Sequence, residues 1–301
     1  MKNAKRAIEK IECEPTTKKC RIELRRENKL KRYRDDEDVT EMLDDIIKKL
    51  KQITILNCLN ADDIYECEIY NGVIIDNTFT GLGKFSFSDE SVQTGRFVDS
   101  LLSEGKKIFK SGTVHDGNFI NNKLNGKGKI TFKSGTIYEG NFVDDNLNGN
   151  GKITYNTGDI YEGTFVDENL NGNGKITFKS GIVYEGTFVD DQLNGNGKIT
   201  LKSGTVYEGA FVNCYLNGKG KIIFSNGAIR EGIFVNDKLH GQGKIVFLNG
   251  DVEEGIFVNG KLQGEGKIIF SDGEIQIGVF GNGCLTNGKI IYVNGRIAYK
   301  N

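Results

Sequence analysis

Apolar and polar residues alternate along this chain in short runs rich in β-branched and aromatic side chains, and the alternation recurs every 23 residues. In the stretch 126–148, Lys129-Ile130-Thr131-Phe132 and Thr136-Ile137-Tyr138-Glu139-Gly140-Asn141-Phe142 flank Lys133-Ser134-Gly135. Two such runs around a short glycine-containing loop predict a β-hairpin. A three-residue loop with glycine last is a type I turn closed by a left-handed residue, and it sets the register. It pairs Phe132 with Thr136, Ile130 with Tyr138 and Lys129 with Glu139. Ile130, Phe132, Tyr138, Gly140 and Phe142 then share one face, while Lys129 meets Glu139 on the other. A two-residue loop would instead set Glu139 among the aromatic residues.

The glycine of each unit keeps the beat at positions 117, 140, 163, 186, 209, 232, 255 and 278. Self-similarity at a fixed period of this size signals a repeat architecture in which no unit buries its apolar face alone. The connection Val143 to Asn150 is read as the link between hairpins, with Asn148-Gly149 reversing the chain. A glycine on the aromatic face is expected to leave a hole for a neighbouring ring. One phenylalanine recurs in every full unit, Phe119, Phe142, Phe165, Phe188, Phe211, Phe234, Phe257 and Phe280, and is assigned to the core. The fold expected is all-β: an elongated single-sheet meander of stacked β-hairpins over 61–301, preceded by a short α-helix.

That helix is read from residues 35–60, where Val39, Met42, Leu43, Ile46, Ile47, Leu50 and Ile53 form one stripe. Asp38 and Glu41 make a capping box, and lysines crowd the last turn. Its apolar face suits a cap over the first sheet edge. Residues 65–105 read as worn repeats, with Glu90 at the glycine tip and an insertion around Ile74 to Phe79.

Charge adds an N-terminal feature. The chain balances 40 basic against 41 acidic residues, yet residues 1–34 hold 13 Lys or Arg against five acidic residues. Such an arm is expected to be disordered; it suits anionic lipid or, through Lys29-Leu30-Lys31-Arg32-Tyr33-Arg34, a nuclear import receptor, and nucleic acid is not the partner expected. No run of eighteen apolar residues and no apolar stretch behind the first lysines occurs, so a cytoplasmic or other intracellular location is expected, nuclear if the arm is read by the import machinery. The six cysteines have no framework spacing and are expected to be reduced thiols.

Catalytic constellations are missing from the pattern. His115 and His240 have no ligand or nucleophile at motif spacing. The Gly-x-Gly-Lys runs lack phosphate-loop spacing, and the pairs Asp144-Asp145, Asp167-Glu168 and Asp190-Asp191 lack a calcium loop. No cofactor and no metal is expected.

Tyr-x-Gly-x-Phe followed by Leu-x-Gly-x-Gly-Lys at this period resembles the MORN repeat ("membrane occupation and recognition nexus") over about 240 of the 301 residues. The family's Phe-x-x-Gly survives at Phe257–Gly260 and Phe280–Gly283, with Asp145, Glu168 or Asn122 in the glycine's place elsewhere; those departures touch a turn. The resemblance implies a MORN solenoid serving as a scaffold, with protein partners, a homodimer as one assembly, and contact with an anionic phospholipid surface as the alternative. Elsewhere in the family such repeats precede methyltransferase or lipid kinase domains. This chain ends inside its last hairpin, so no enzyme is expected. The residues expected to meet a partner are Tyr138, Tyr161, Tyr184 and Tyr207, one slot in four consecutive units about 10 Å apart on a concave face.

Overall fold

In a computed structural model of the chain, residues 11–14, 19–22 and 63–301 are described, and all their regular structure is β-strand. The chain divides into a first unit, Met1–Leu147, and a second, Asn148–Asn301. The first unit contains β1 (Ile11–Glu14), β2 (Lys19–Ile22), β3 (Ile64–Ile75), β4 (Thr78–Phe87), β5 (Val92–Val98), β6 (Leu101–Ile108), β7 (Val114–Ile120), β8 (Lys123–Thr131) and β9 (Ile137–Val143). Strand β10 (Asn146–Thr154) contains the boundary. The second unit continues with β11 (Ile160–Val166), β12 (Asn169–Thr177), β13 (Val183–Val189), β14 (Gln192–Thr200), β15 (Val206–Val212), β16 (Tyr215–Ile223) and β17 (Ile229–Val235). It ends with β18 (Lys238–Val246), β19 (Val252–Val258), β20 (Lys261–Ile269), β21 (Ile275–Gly281), β22 (Cys284–Ile291) and β23 (Ile297–Lys300). From β3 to β23 the strands form an antiparallel meander of 21 strands.

The tip register is the one the loop length demands. Lys129 pairs with Glu139 and Ile130 with Tyr138, and Phe132 N–H donates to Thr136 O at 2.9 Å. Gly135 has φ +92, and Glu90, at the equivalent tip, takes the same left-handed conformation with φ +64. The connection between hairpins departs from the sequence reading. Asn146–Thr154 is strand, and the chain reverses at Asp144 and Asp145, whose φ values are +50 and +72. Positive φ at both central residues is a type I′ turn, whose twist matches the flanking strands, and Asp and Asn tolerate it better than other non-glycine residues. Asn148-Gly149 therefore lies within a strand rather than at the reversal. The insertion after Ile74 lengthens β3 and β4 around a like turn at Asp76 and Asn77.

Residues 35–60 lie outside the described residues, and so does the expected capping helix. Inside the arm expected to be disordered, β1 and β2 pair with each other, and β2 pairs with β3 from Gly72 to Ile75. Part of the first edge is thus covered by a strand, because the inserted residues of β3 extend a row of backbone groups that a second strand can satisfy.

The core lies on one face of a single sheet. In the second unit the registers align a continuous row of glycines, running from Gly151 through Gly163, Gly174, Gly186 and Gly197 to Gly288. Beside it, each phenylalanine faces a leucine across one ladder, as Phe165 faces Leu170, and a glycine across the other. On the far side, tyrosines alternate with isoleucines. The space over the glycines is filled by leucine, which corrects the expectation of a ring there: a methyl group added at Gly163 would lie 2.9 Å from Leu170 Cδ1 and 2.6 Å from Gly174 Cα. Leu170 and Leu193 are fully buried as a result, and Phe165 with them. The seven other repeat phenylalanines are buried as well. In the worn first repeats Phe79 takes the leucine's part, packed on Gly72 and Gly81 and 5.4 and 5.9 Å from the rings of Phe85 and Phe97.

The opposite face carries a charge ladder. Lys152–Glu162, Lys175–Glu185 and Lys198–Glu208 are ion pairs of 2.9 to 3.0 Å. Each glutamate also stands opposite the lysine of the next strand, Glu162 with Lys175 and Glu185 with Lys198.

Two outcomes follow from these contacts. Gly163→Ala is expected to cost about 3 kcal/mol or more in urea unfolding, because its φ of +150° and the 2.5 Å approach to Asn173 O leave no room for a Cβ. Exchanging Lys175 and Glu185 (Lys175→Glu with Glu185→Lys) keeps their own pair but sets a carboxylate opposite Glu162 and an ammonium opposite Lys198. The exchange should cost about a few tenths of a kcal/mol at each new contact, and thermal melts in high salt should shrink that cost.

Candidate functional site

The tyrosine slot is half-buried, as alternation with isoleucine requires. Tyr161 lies between Ile153 and Ile176, Tyr184 between Ile176 and Ile199, and Tyr207 between Ile199 and Ile222. The isoleucines are buried while the longer tyrosines reach past them. A second row accompanies this one: in most repeats the last residue before the tip puts a ring against the slot. Tyr155 and Tyr161 meet edge to face at 5.1 Å, and Phe178 and Tyr184 at 5.3 Å. In the first unit Tyr138 meets Phe132 at 5.0 Å and His115 meets Phe109 at 4.7 Å. Edge-to-face rings at this separation attract one another through their quadrupoles. Of the four tyrosines singled out from the sequence, the structure aligns Tyr161, Tyr184 and Tyr207 along one tier of the second unit; Tyr138 belongs to the first.

His115, Tyr161, Tyr184 and Tyr207 each also have a neighbour 30 residues on, at the second position of a type I′ turn. His115 Nδ1 is 3.1 Å from Asp145 Oδ1. Burial raises the pKa of Tyr161, Tyr184 and Tyr207, and Asp191, Cys214 and Asp237 respectively add to it. These turn residues also tie one repeat to the previous one. Asp191 Oδ1 accepts from Leu170 N–H at 2.7 Å while its own N–H donates to Leu170 O at 3.1 Å, and Asp237 does the same with Leu216. The first turn residues are held too, Asn171 Nδ2 donating to Asp190 Oδ1 at 3.0 Å. The acidic pairs, which lack a calcium loop, thus supply hydrogen-bond acceptors to the fold. Among the described residues no group of three or more His, Cys, Asp or Glu is placed to hold a metal ion.

The slot changes character after Tyr207. Arg230 lies over the Phe224 ring at 5.1 Å. Glu253 follows, its carboxyl held above the usual carboxylate range by burial, with Arg230 opposing the shift and Asp251 adding to it. Beside Glu253 is an open groove of about 970 Å³, lined by Phe247, Ile268, Phe270, Leu285 and Ile290. Sequence reading missed this groove and the row of tip rings. The signal for the rings was present, since an aromatic precedes the tip in most units; the groove depends on which turn residue faces which slot.

Reactive side chains do not converge here. Burial, with Glu66 and Glu68 adding, pushes the Cys67 thiol up to about 11, which leaves it protonated and inert near neutrality. Cys67, Cys214 and Cys284 are free thiols. No helix long and apolar enough to cross a membrane occurs among the described residues.

A sheet of 23-residue hairpins with this glycine row defines a class, the β-hairpin repeat proteins. The chain belongs to the MORN repeat family, whose pattern matches at residues 115–137, 138–160, 161–183, 184–206, 207–229, 231–252 and 254–275. No curated protein sequence matches it. Among solved structures it is similar to the TCP domain of Drosophila melanogaster SAS-4 (dCPAP) in complex with a proline-rich motif of Ana2. That likeness is at 15% identity and a TM-score of 0.33, over 58% of this chain and 89% of that one. It is also similar to the TCP10 domain of Danio rerio CPAP, at 16% identity and a TM-score of 0.37, over 65% of this chain and 93% of that one.

The His115–Asp145 pair predicts a pH dependence. Burial lowers the pKa of His115, Asp145 opposes this and Lys107 adds to it, so the folded state favours neutral imidazole. The unfolded chain takes up its proton first, below about pH 6.5, and stability falls as pH drops through that value toward the lower folded pKa. In thermal melts His115→Tyr, which installs the residue of the neighbouring repeats, should remove this part of the acid sensitivity.

Proposed function

We propose that this chain is a non-catalytic scaffold that binds protein partners along the strip formed by Tyr161, Tyr184 and Tyr207, with Tyr138 playing the same part in the first unit. The observation that carries this reading is the half-burial of a tyrosine at the same slot in consecutive repeats. Each ring is anchored on isoleucine, those of Tyr138, Tyr161 and Tyr184 also on a second ring, and its outer edge is left to solvent. A rigid aromatic side chain with a polar tip loses little entropy on contact, which is why tyrosine dominates binding hot spots. Successive tyrosines are two strands apart, so the strip samples a partner at about 10 Å intervals.

The alternative, binding to an anionic membrane, finds less support in the repeats, because their lysines are balanced strand by strand by glutamates. It rests on residues 1–34, and flotation with phosphatidylserine vesicles of the chain with and without them tests it.

Two variants separate binding from folding. Phe165→Ala should cost about 3–5 kcal/mol, since that ring is fully buried. Tyr161→Ala with Tyr184→Ala should leave a cooperative melt and lose the proteins that the unaltered chain retains from a host extract. Unfolding of the double tyrosine variant at the level of Phe165→Ala, or undiminished retention, would show that the strip is structural.

A further inference from the structure

We infer that the groove beside Glu253 is a second docking site of this scaffold, built to take a basic side chain of a protein partner, arginine by preference, flanked by apolar residues. The inference rests on the scaffold reading and goes further in naming the chemistry of what is bound.

Two coordinated departures from the repeat make the groove. Elsewhere a slot residue either has a turn side chain against it 30 residues on, as His115 has Asp145, or keeps a long side chain stacked on a ring, as Arg230, whose turn residue is Gly260, lies over Phe224. For Glu253 that turn residue is Gly283, where an added methyl group would meet nothing within 4 Å. The slot loses its ring and the turn loses its side chain at the same place. The space left is about 970 Å³, and Gly283 and Glu253 both line it. That volume is typical of ligand sites, and the lining mixes apolar side chains with Asn226, Asn249, Gln276 and the charged groups. At its rim Phe247 and Leu248 are 37% and 70% exposed.

The charge of the groove selects the ligand. Its charged residues are Glu253, Asp251 and Lys300. Asp251 is already engaged, accepting from Ser271 N–H and from Asn249 Nδ2, each at 2.8 Å. Glu253 has no cation within ion-pair distance among the described residues, and burial already disfavours its charged form. A cation brought by a ligand restores what burial has taken from the carboxylate. The sheet shows how a guanidinium sits in such a place: Arg230 lies over Phe224 at 5.1 Å, and Arg296 over Tyr292 at 4.2 Å. Phe247 stands to Glu253 in sequence as Phe224 does to Arg230, but with a carboxylate in the cation's position. A partner's arginine would lie on Phe247 or Phe270 and donate to Glu253, a combination of stacking and forked hydrogen bonding that lysine matches less well.

Panning a random-peptide phage library on the full chain tests this. The selected peptides should carry arginine beside apolar residues. Glu253→Gln, which keeps the shape and removes the charge, should weaken them by about tenfold or more. Glu253→Tyr, which restores the tyrosine found in the slot at Tyr161, Tyr184 and Tyr207, should abolish binding without loss of fold. Tyr161→Ala with Tyr184→Ala should leave these peptides bound. A library that yields no binder, peptides without a basic residue, or equal affinity for the Glu253→Gln variant would overturn the inference. Binders that need Tyr161 and Tyr184 but not Glu253 would overturn it while leaving the scaffold reading in place. Conversion of a dimer to a monomer by Glu253→Gln would also overturn it, since the occupant would then be a second copy.

Discussion

Leucine packed onto a row of glycines is the contact on which everything else in this protein depends. A single sheet has no second layer to cover its apolar face, so each repeat must make a core from what lies on the sheet itself. With no Cβ at Gly163 and Gly174, the two backbones approach closely and Leu170 folds down over them. The neighbouring phenylalanine then closes against leucine on one side and glycine on the other, and both side chains leave solvent completely. This also explains why glycine recurs with the period of the repeat: the conformation and the space both exclude a side chain.

That core fills only part of the face. Beyond the glycine row, the tier of isoleucine and slot residue is half-covered, and there the repeats differ in chemistry while keeping the same backbone. Tyrosine, histidine, arginine and glutamate all occupy the slot without disturbing the ladder, because its stability is supplied by the phenylalanine, leucine and glycine tiers beside it. Binding chemistry can therefore vary from repeat to repeat at small cost, as expected for an array in which each unit contacts only its neighbours. On the opposite face the charges from Glu162 to Glu254 vary little, since each is matched on both sides and a change of sign disturbs two contacts at once.

The turns bind the repeats together. An aspartate in the left-handed conformation at the second position of the type I′ turn returns a backbone and a side-chain hydrogen bond to the leucine of the preceding repeat, so one residue serves reversal, cohesion and the environment of the slot. Where glycine replaces it, at Gly260 and Gly283, the backbone bond survives at 2.8 and 2.9 Å, and the side-chain bond and the side chain's bulk are gone. Loosening of the turn and change of the slot residue thus coincide in the repeats that contain Arg230 and Glu253.

The period, the three-residue tips, the pairing of Lys129 with Glu139 and the face shared by Ile130, Tyr138 and Phe142 were all legible in the sequence, because loop length and the two-residue alternation of a strand determine them locally. Other features needed the tertiary structure. Asn148-Gly149 has the composition of a turn, yet the reversal occurs at Asp144 and Asp145, since the twist of the strands favours a turn with two left-handed residues there and the glycine's positive φ is used inside the strand. Leucine rather than an aromatic ring lies on the glycines because a branched side chain fits the shallow space above them. The pairing of β2 with β3 and the opposition of slot and turn 30 residues apart are contacts between segments, which the local pattern does not carry. The groove at Glu253 exists only because that opposition brings a lost ring and a lost side chain to one place.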